Sequence, residues 1–290
     1  MSMHGTEAER ALTEQVVARF ANTPDARLRT LMQSLVRHLH AYVREVEPTE
    51  AEWFAAIRFL TETGQMCDDV VRQEFILLSD TLGVSMLVDA INHRYATGAT
   101  DTTVFGPFYI EGMPERAYGE NMAFTAGTPA LVHGRVLTTD GEPVANALLD
   151  VWQTADNGMY SGQDTAQPHG NLRGRYRTDA EGRYAIRTIV PVCYPIPTDG
   201  PVGRMLEATG RHPWRPAHLH FMITAPGHST LVTHLFNRND PYLDSDAVFG
   251  VKPSLLVDYR ERAAGDAAAQ AFGFEGAFRE ARYDFVLERA

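Results

Sequence analysis

Apolar residues in the first hundred positions recur at steps of three and four. Between residues 11 and 44 the positions at these steps include Val16, Val17, Phe20, Leu28, Leu31, Met32, Leu35, Val36 and Leu39. A period near 3.6 residues places one apolar face along a helix. Thr49 and Glu52 stand just before the apolar stretch that begins at Trp53, a spacing typical of a capping box at a helix start. The pattern predicts four or five helices in this part of the chain.

After about Thr103 the apolar positions alternate in short runs that Gly, Pro, Asn and Asp interrupt. Residues 131–137 and 147–152 are two such runs, and the sequence TTDGEP at 138–143 separates them. Residues 282–287 alternate in the same way and predict a last strand that rejoins a sheet. Short strands separated by frequent turns are typical of a β-sandwich.

Helices first and strands second predict an α+β protein. We expect a helical N-terminal region at residues 1–102 and a mainly antiparallel β-sandwich domain at residues 103–290. A hydrophobic content of 44% and a charged content of 22% are typical of a soluble globular chain. The sequence has no run of about 18 or more apolar residues, so no transmembrane segment is predicted.

Charge and cysteine content narrow the functional classes. The formal net charge is −11, from 26 basic and 37 acidic residues, which argues against nucleic-acid binding because such proteins need clustered basic residues. Only two cysteines are present, Cys67 and Cys193. They are too few for a disulfide framework, and they predict a reducing, cytoplasmic location.

Two histidines form the clearest local pattern. His218 and His220 stand two apart in the apolar segment WRPAHLHF at 214–221. Side chains two apart on a strand point to the same face, so both imidazoles can face one metal ion. The spacing alone leaves an alternative open, in which one histidine is hydrogen-bonded in the core and the other is a chance neighbour. The sequence contains no HExxH, EF-hand, P-loop or GxSxG motif.

Tyrosine supplies the remaining oxygen donor of interest. Tyr160 follows the strand that ends at Trp152, and Tyr194 lies in the proline-flanked sequence VCYPIP at 192–197. By residue type alone, each tyrosine is interpreted as a buried ring with a solvated hydroxyl.

Four longer segments together resemble the intradiol ring-cleaving dioxygenases, non-haem ferric enzymes that open catechols between the two hydroxyl groups. They are LLDVWQTADNGMY at 148–160, NLRGRYRTDAEGRYAIRTIVPVCYPIPTDGPVG at 171–203, GRHPWRPAHLHFMITAPGH at 210–228 and DPYLDSDAVFGVK at 240–252. They follow the family's order and cover most of residues 101–260. The helical N-terminal part and the sequence GPFYIEG at 106–112 are similar to the catechol-type branch.

The resemblance implies one Fe(III) per subunit, with Tyr160, Tyr194, His218 and His220 as its ligands. Two phenolates and two imidazoles favour a ferric ion over softer metals. The resemblance also implies that Tyr194 leaves the metal to act as an internal base, and that Arg215 stabilises negative charge on the ring while O2 attacks it. A surface or salt-bridging arginine is the alternative for Arg215.

One position departs from the family pattern. Many catechol-cleaving relatives have a glutamine shortly after the two histidines, and this chain has His234 there. We interpret His234 as a residue that lies behind the iron ligands and is not itself a fifth ligand.

The resemblance also indicates the substrate. The stretches PTDGPVG, RHPWRPAHLHF and PYLDSDAVFGVK are similar to hydroxyquinol and chlorocatechol enzymes. Asp80 can accept a hydrogen bond from the third hydroxyl of hydroxyquinol (1,2,4-trihydroxybenzene). A chloro-substituent at that position has no proton to donate and gains nothing from the acid. Alternatively, Asp80 caps or solvates the turn before Gly83. The implied pocket residues are Leu77, Asp80, Val104, Phe105, Gly106, Pro107, Phe108, Ile196, Pro197 and Val248.

These residues favour a hydroxyquinol 1,2-dioxygenase activity that uses O2 to form 3-hydroxy-cis,cis-muconate, whose keto form is maleylacetate. Chlorocatechol or catechol 1,2-dioxygenase activity is the alternative with the same mechanism. A non-catalytic β-sandwich binding module is the alternative of a different class, although such a module has no reason to keep four metal donors beside Arg215.

The resemblance finally implies a homodimer formed through the N-terminal helices, with a phospholipid held in that interface. The apolar stripe from Val16 to Leu39 fits such an interface. It fits packing on the sandwich equally well.

Overall fold

A computed structural model describes residues 7–68, 72–94 and 98–290 of the chain. The chain divides into two compact units, Met1–Glu62 and Thr63–Ala290, and each is described by itself below. The domain division predicted between residues 102 and 103 stays a prediction. None of the described helices is both long and apolar enough to cross a membrane.

The first unit is helical. It contains α1 (Glu7–Ala18), α2 (Ala26–Val46) and most of α3 (Glu50–Gln65). The predicted capping box is confirmed, since the Glu52 carboxylate accepts from the Thr49 backbone N–H at 2.7 Å and the Thr49 hydroxyl accepts from the Glu52 backbone N–H at 3.3 Å. On α2 the apolar stripe is half exposed, with Leu31 at 49% and Leu39 at 52%.

The second unit begins with helices and continues as strands. Its helices are α4 (Glu74–Thr81), α5 (Val84–His93), α6 (Pro201–Ala208) and α7 (Ala267–Phe272). Its strands are β1 (Pro129–Thr138), β2 (Leu148–Trp152), β3 (Arg173–Arg177), β4 (Arg183–Ile189), β5 (Tyr194–Pro195), β6 (Trp214–Arg215), β7 (His218–Thr224), β8 (Leu231–Asn237), β9 (Leu256–Val257), β10 (Arg260–Arg262), β11 (Phe278–Arg282) and β12 (Phe285–Leu287). Five of the described helices precede residue 100, as the periodicity predicts.

The strands form two five-stranded sheets and a small ribbon. The first sheet has the order β10-β11-β1-β12, with β4 also paired to β1, and the second has the order β3-β2-β7-β8-β9; β5 and β6 form the ribbon. The predicted sandwich is confirmed, but its sheets are mixed. β1 runs parallel to β11 and β12, and β8 runs parallel to β9. Alternation along a strand indicates which face is buried and carries no information about the direction of the partner strand.

The hydrophobic core lies between the two sheets. It joins Val132 and Ile186 of the first sheet to Leu219, Phe221 and Ile223 of β7 in the second. Because side chains alternate along a strand, the residues between these on β7 face the outer side of the second sheet. Met222 accordingly packs against a separate buried aromatic cluster made by Trp152, Tyr160 and Tyr194.

Candidate metal centre and active site

Four buried side chains bring their polar atoms together on the outer face of the second sheet. His218 and His220 come from β7, Tyr160 comes from the loop after β2, and Tyr194 comes from β5. Each is at most 4% exposed. The structure therefore brings together the four residues that the sequence predicts as iron ligands, which we call the donor cluster.

The donor atoms of this cluster form a closed ring of short distances. The Tyr160 hydroxyl lies 3.0 Å from the Tyr194 hydroxyl and 2.9 Å from His220 Nε2. His218 Nε2 lies 3.1 Å from His220 Nε2 and 3.5 Å from the Tyr194 hydroxyl. Atoms that each lie about 2.0–2.1 Å from one cation are separated by about 2.9–3.4 Å at angles between square and tetrahedral. The spacing of the donor cluster thus fits a single metal ion.

Hydrogen bonds outside the cluster orient both imidazoles. His218 Nδ1 lies 2.6 Å from the carbonyl oxygen of Pro216, which can only accept, so His218 carries its proton on Nδ1. His220 Nδ1 lies 2.7 Å from His234 Nε2. In both rings the second nitrogen has a partner, so Nε2 faces the cluster, as is usual for histidines that bind metals.

Burial keeps the three histidines neutral. Burial, helped by the charge of Arg215, lowers the pKa of His218 to about 3. Burial also lowers the pKa values of His220 and His234 well below the usual value. Neutral imidazole is the form that binds a metal, so no proton must be displaced from the histidines at neutral pH.

The tyrosines, unlike the histidines, must lose a proton to bind a metal, because the phenolate is the binding form. Burial, followed by the proximity of Tyr194, raises the pKa of Tyr160 well above its usual value. A phenolate in this position therefore needs a nearby cation, and a bound metal ion is the largest local charge that a site can have. Together, two phenols and two neutral imidazoles suit a hard cation such as a ferric ion.

His234 lies behind His220. The Nε2 atom of His234 contacts His220 Nδ1, and the centroids of the two rings are 4.2 Å apart. The ligating nitrogens of His218, His220 and His234 lie within 4.8 Å of one another, which also suggests a three-histidine site. His234 Nε2 is occupied by the hydrogen bond to His220, however, and its Nδ1 is a buried atom without a hydrogen-bond partner. This geometry leaves Tyr160 and Tyr194 in the donor cluster and His234 outside it.

Aromatic rings hold the cluster from the sides. Trp152 stacks on His220 with centroids 4.7 Å apart, and Phe108 stacks on Tyr160 at the same distance. The guanidinium of Arg173 lies 5.6 Å from the Tyr160 ring centroid and donates to the Phe108 carbonyl at 2.7 Å. Phe108 is a pocket residue implied by the resemblance, whereas Trp152 and Arg173 were not predicted, because only the fold places these two beside the donor atoms.

Arg215 adds a buried positive charge to the site. Its side chain is 4% exposed, and its Nη1 lies 3.2 Å from His218 Nε2. Although burial works against the charged form, Asp246 and then Tyr194 raise the pKa of Arg215 above its usual value. Arg215 is thus not a surface arginine; it remains charged next to the donor cluster and also forms a salt bridge to Asp246.

A small cavity lies against Phe108, the ring that stacks on Tyr160. Its volume is about 50 Å³, and its lining residues are Arg72, Gln73, Leu77, Pro107, Phe108, Gln163 and Pro197. Four of these, Leu77, Pro107, Phe108 and Pro197, belong to the predicted substrate pocket. The polar residues Arg72, Gln73 and Gln163 were missed, since no motif distinguishes them in the sequence.

The other predicted pocket residues do not line this cavity. Gly106 has a φ of +77°, and a Cβ on it would lie 3.2 Å from His220 Cε1, so this close approach requires a glycine. Phe105 is 40% exposed, and its ring packs on Tyr109 and Trp152. Four further members are buried: Asp80, Val104, Ile196 and Val248.

Asp80 lies in the last turn of α4, and both predicted roles of its carboxyl group, at the turn before Gly83 and at the substrate, stay predictions. The Asp80 backbone carbonyl accepts from the Gly83 N–H at 3.0 Å, while the carboxyl group is buried. Burial raises the pKa of Asp80. A hydrogen bond from Ser85 and the charge of Arg215 act in the opposite direction and lower it. The carboxyl group is therefore electrostatically coupled to the arginine beside the donor cluster.

Comparison with known proteins shows the family. A family model described as Dioxygenase matches residues 104–289, and a second, described as Catechol dioxygenase N terminus, matches residues 25–100. A solved hydroxyquinol 1,2-dioxygenase from Pseudomonas putida is 67% identical, with a TM-score of 0.92 over 98% of this chain and 99% of that chain.

Two relatives known by sequence are also similar over most of their length. A 6-chlorohydroxyquinol 1,2-dioxygenase of Cupriavidus pinatubonensis is 57% identical over 86% of this chain and 90% of its own. A hydroxyquinol 1,2-dioxygenase of Rhizobium sp. is 52% identical over 98% of this chain and 97% of its own.

Proposed function

The chain belongs to the catechol-type branch of the intradiol dioxygenase family, and we propose that it cleaves hydroxyquinol with O2 between the two adjacent hydroxylated carbons. The observation that carries this proposal is the donor cluster of two tyrosines and two neutral histidines beside a buried arginine. The names of the relatives support the substrate, since all three act on hydroxyquinol or its 6-chloro derivative.

We propose Fe(III) as the metal, one per subunit, held by Tyr160, Tyr194, His218 and His220. A ferric ion held there would act as a Lewis acid, which would favour loss of the protons of the catecholic hydroxyls and make the ring reactive toward O2. The ligand types support this choice, because phenolate oxygen and imidazole nitrogen are hard donors.

The side chains of the cluster then have separate tasks. The Tyr194 hydroxyl lies beside both Tyr160 and His218, so as a phenolate its oxygen can take the proton of a substrate hydroxyl. Arg215 directs Nη1 at the same region and stabilises negative charge that develops on the substrate oxygens. His234 fixes the orientation of His220 through the hydrogen bond between His234 Nε2 and His220 Nδ1.

The overall reaction balances without a further reactant. The carbon–carbon bond between the two hydroxyl-bearing carbons breaks, and both atoms of O2 enter the product, where these carbons become carboxyl groups. From hydroxyquinol the product is 3-hydroxy-cis,cis-muconate, which ketonises to maleylacetate.

The proposed substrate pocket is apolar with one acidic group. Leu77, Pro107, Phe108 and Pro197 line the small cavity against Phe108 and belong to the proposed pocket for the substrate ring. Val104, Phe105, Gly106, Ile196 and Val248 complete the proposed pocket. Asp80 accepts a hydrogen bond from the third hydroxyl of hydroxyquinol, and its electrostatic coupling to Arg215 supports a position near the reacting oxygens.

A substrate panel tests this proposal. Steady-state kcat/KM is measured for hydroxyquinol, 6-chlorohydroxyquinol, catechol and 4-chlorocatechol, with identification of each product. We expect the highest value for one of the two trihydroxylated rings, with maleylacetate as the product from hydroxyquinol. A preference for catechol or 4-chlorocatechol would overturn the substrate assignment and leave the reaction type in place.

We further propose a cytoplasmic homodimer that holds a phospholipid between its N-terminal helices. The half-exposed apolar stripe on α2, including Leu31 and Leu39, supports an apolar partner surface. Light scattering tests the dimer, and organic extraction followed by mass spectrometry tests the lipid. A monomer in solution would contradict the first, and a lipid-free extract would contradict the second.

A further inference from the structure

Asp246 binds the buried arginine of the site from the side opposite the donor cluster. Arg215 Nε lies 3.1 Å from Asp246 Oδ1, and Nη2 lies 3.4 Å from Oδ2. The two side chains are 4% and 2% exposed, so the pair is buried. A two-point contact between a guanidinium and a carboxylate restricts both the position and the rotation of the arginine.

The loop that carries Asp246 is folded around the same carboxylate. Oδ1 accepts from the Val248 backbone N–H at 3.3 Å, and Oδ2 accepts from the Gly250 backbone N–H at 2.9 Å. A Cβ on Gly250 would lie 3.1 Å from Arg215 Nη2 and 3.2 Å from Asp246 Oδ2. The missing side chain at Gly250 thus makes room for the pair, and the loop holds the carboxylate in place.

This arrangement decides which donors of Arg215 remain free. A guanidinium has five N–H groups, and Asp246 takes the one on Nε and one of the two on Nη2. Both N–H groups of Nη1 remain, and Nη1 lies 3.2 Å from His218 Nε2, an atom of the donor cluster. Asp246 therefore turns the Nη1 edge toward the place where the substrate oxygens must bind.

A second acid competes for the same arginine. Asp80 is buried in α4 and interacts electrostatically with both Arg215 and Asp246. Without the Asp246 charge, Asp80 would be the acid left to attract the guanidinium.

We infer that Asp246 is a positioning residue for ring cleavage, which acts by holding Arg215 with Nη1 directed at the substrate oxygens. The inference rests on the proposed function, since Arg215 must act on the substrate for its orientation to matter. Asp246 itself contacts neither the donor cluster nor the cavity beside it.

A double-mutant cycle tests this inference. Asp246→Asn, Arg215→Lys and the double variant are compared with the wild-type enzyme in kcat/KM for hydroxyquinol. We expect Asp246→Asn to lower kcat/KM by about 100-fold, the size that a misplaced catalytic group typically causes. If Asp246 acts through Arg215, the double variant is no slower than Arg215→Lys alone. Losses that multiply in the double variant would overturn the inference.

A second readout separates positioning from general damage. The affinity for hydroxyquinol under anaerobic conditions should fall in Asp246→Asn, while the metal content and the wavelength of the tyrosinate-to-iron absorption stay those of the wild type. Glu280→Gln is the matched control, since Glu280 pairs with His133 and Arg262 in the first sheet, and it should retain wild-type kcat/KM. A loss of metal that accounts for the lost activity of Asp246→Asn would contradict positioning.

Gly250→Ala provides the test should Asp246→Asn fail to fold. The added methyl group lies 3.1 Å from Nη2, so the guanidinium must shift by a few tenths of an ångström while the ion pair persists. We expect a smaller loss of kcat/KM, on the order of 10-fold, with unchanged metal content. Wild-type kinetics in this variant would contradict the inference. An inactive wild-type enzyme would instead contradict the proposed function.

Discussion

Strand β7 of the second sheet buries side chains of opposite chemistry on its two faces. On β7, Leu219, Phe221 and Ile223 face the first sheet and belong to the apolar core. On the other face of the same strand, His218 and His220 are both 2% exposed and point into the donor cluster. Because side chains alternate along a strand, one seven-residue segment supplies both core residues and two members of the donor cluster.

The difference shows that burial alone does not make a face a source of stability. The apolar face stabilises the fold by removing hydrocarbon from water, at about 25 cal/mol per Å². The other face buries imidazoles and phenols, and burial disfavours the charged forms of both groups. The lowered pKa of His220 and the raised pKa of Tyr160 reflect this effect. A bound cation converts this unfavourable group of side chains into a functional site.

The largest effect is expected from a substitution on the polar face that removes a donor. His220→Ala deletes one of four donor atoms and the stacking partner of Trp152. We expect ring cleavage to fall by at least about 1,000-fold, because loss of a ligand exceeds the 10- to 100-fold effects typical of groups behind the ligands. Oxygen consumption and iron content measure this. Near-normal activity would show that His220 is not a donor.

A substitution on the core face of β7 should lower the stability of the fold and leave the donor cluster unchanged. Phe221 is fully buried and packs against Phe285 and Tyr184. Phe221→Ala is expected to lower the free energy of unfolding by about 3–5 kcal/mol, through lost transfer energy and a residual cavity. Urea denaturation measures this loss, and Phe221→Leu should show a smaller one. The tyrosinate-to-iron absorption of the folded protein should not shift; a shift would show that the two faces are not separable.

The pH dependence of stability should distinguish the faces in the metal-free protein. The folded-state pKa of His234 is lowered by burial, so between pH 7 and pH 5 the unfolded chain binds a proton that the folded chain does not. Stability from this residue is therefore present at pH 7 and is lost as the pH falls, by about 2 kcal/mol. Urea denaturation of the chelator-treated protein at the two pH values measures the loss.

The variant His234→Gln isolates this contribution. Glutamine can still accept the hydrogen bond from His220 but does not titrate. The stability loss between pH 7 and pH 5 should therefore be about 2 kcal/mol smaller in the variant than in the wild type. Equal losses in both proteins would show that His234 is already protonated in the fold.

The smallest effect concerns substrate preference. Asp80→Asn keeps the size of the side chain and removes the acceptor charge near Arg215. The ratio of kcat/KM for hydroxyquinol to that for catechol should fall about 10-fold, because one polar contact to a substrate hydroxyl is weakened. Ile76→Val is the control on the same helix, since the Ile76 side chain is 44% exposed. An unchanged ratio would remove Asp80 from substrate recognition.

The alternation of one strand made part of the site predictable. The spacing of His218 and His220 indicates a shared face, and the structure has both imidazoles on that face with Nε2 atoms 3.1 Å apart. Tyr160 and Tyr194 carry no such local signal, because they lie in a loop and a two-residue strand. Only a resemblance over many residues connects them to the histidines.

Long-range contacts account for what the sequence did not indicate. Asp246 is 31 positions from Arg215, and the fold of its own loop brings the two together. Trp152 ends β2 with the appearance of a core residue, yet register with His220 places its ring against the donor cluster. The parallel pairing of β1 with β11 and β12 was likewise unpredictable from alternation.

Product analysis with oxygen-18-labelled dioxygen tests the proposed intradiol cleavage most directly. The iron-loaded protein is mixed with hydroxyquinol under the labelled gas, and the ring-opened acid is examined by mass spectrometry. If the donor cluster supports intradiol cleavage, the product is 3-hydroxy-cis,cis-muconate or maleylacetate with one labelled oxygen in each new carboxyl group. Intradiol cleavage would be contradicted by a product in which a carbon–carbon bond next to the two hydroxylated carbons is broken, or by an intact ring.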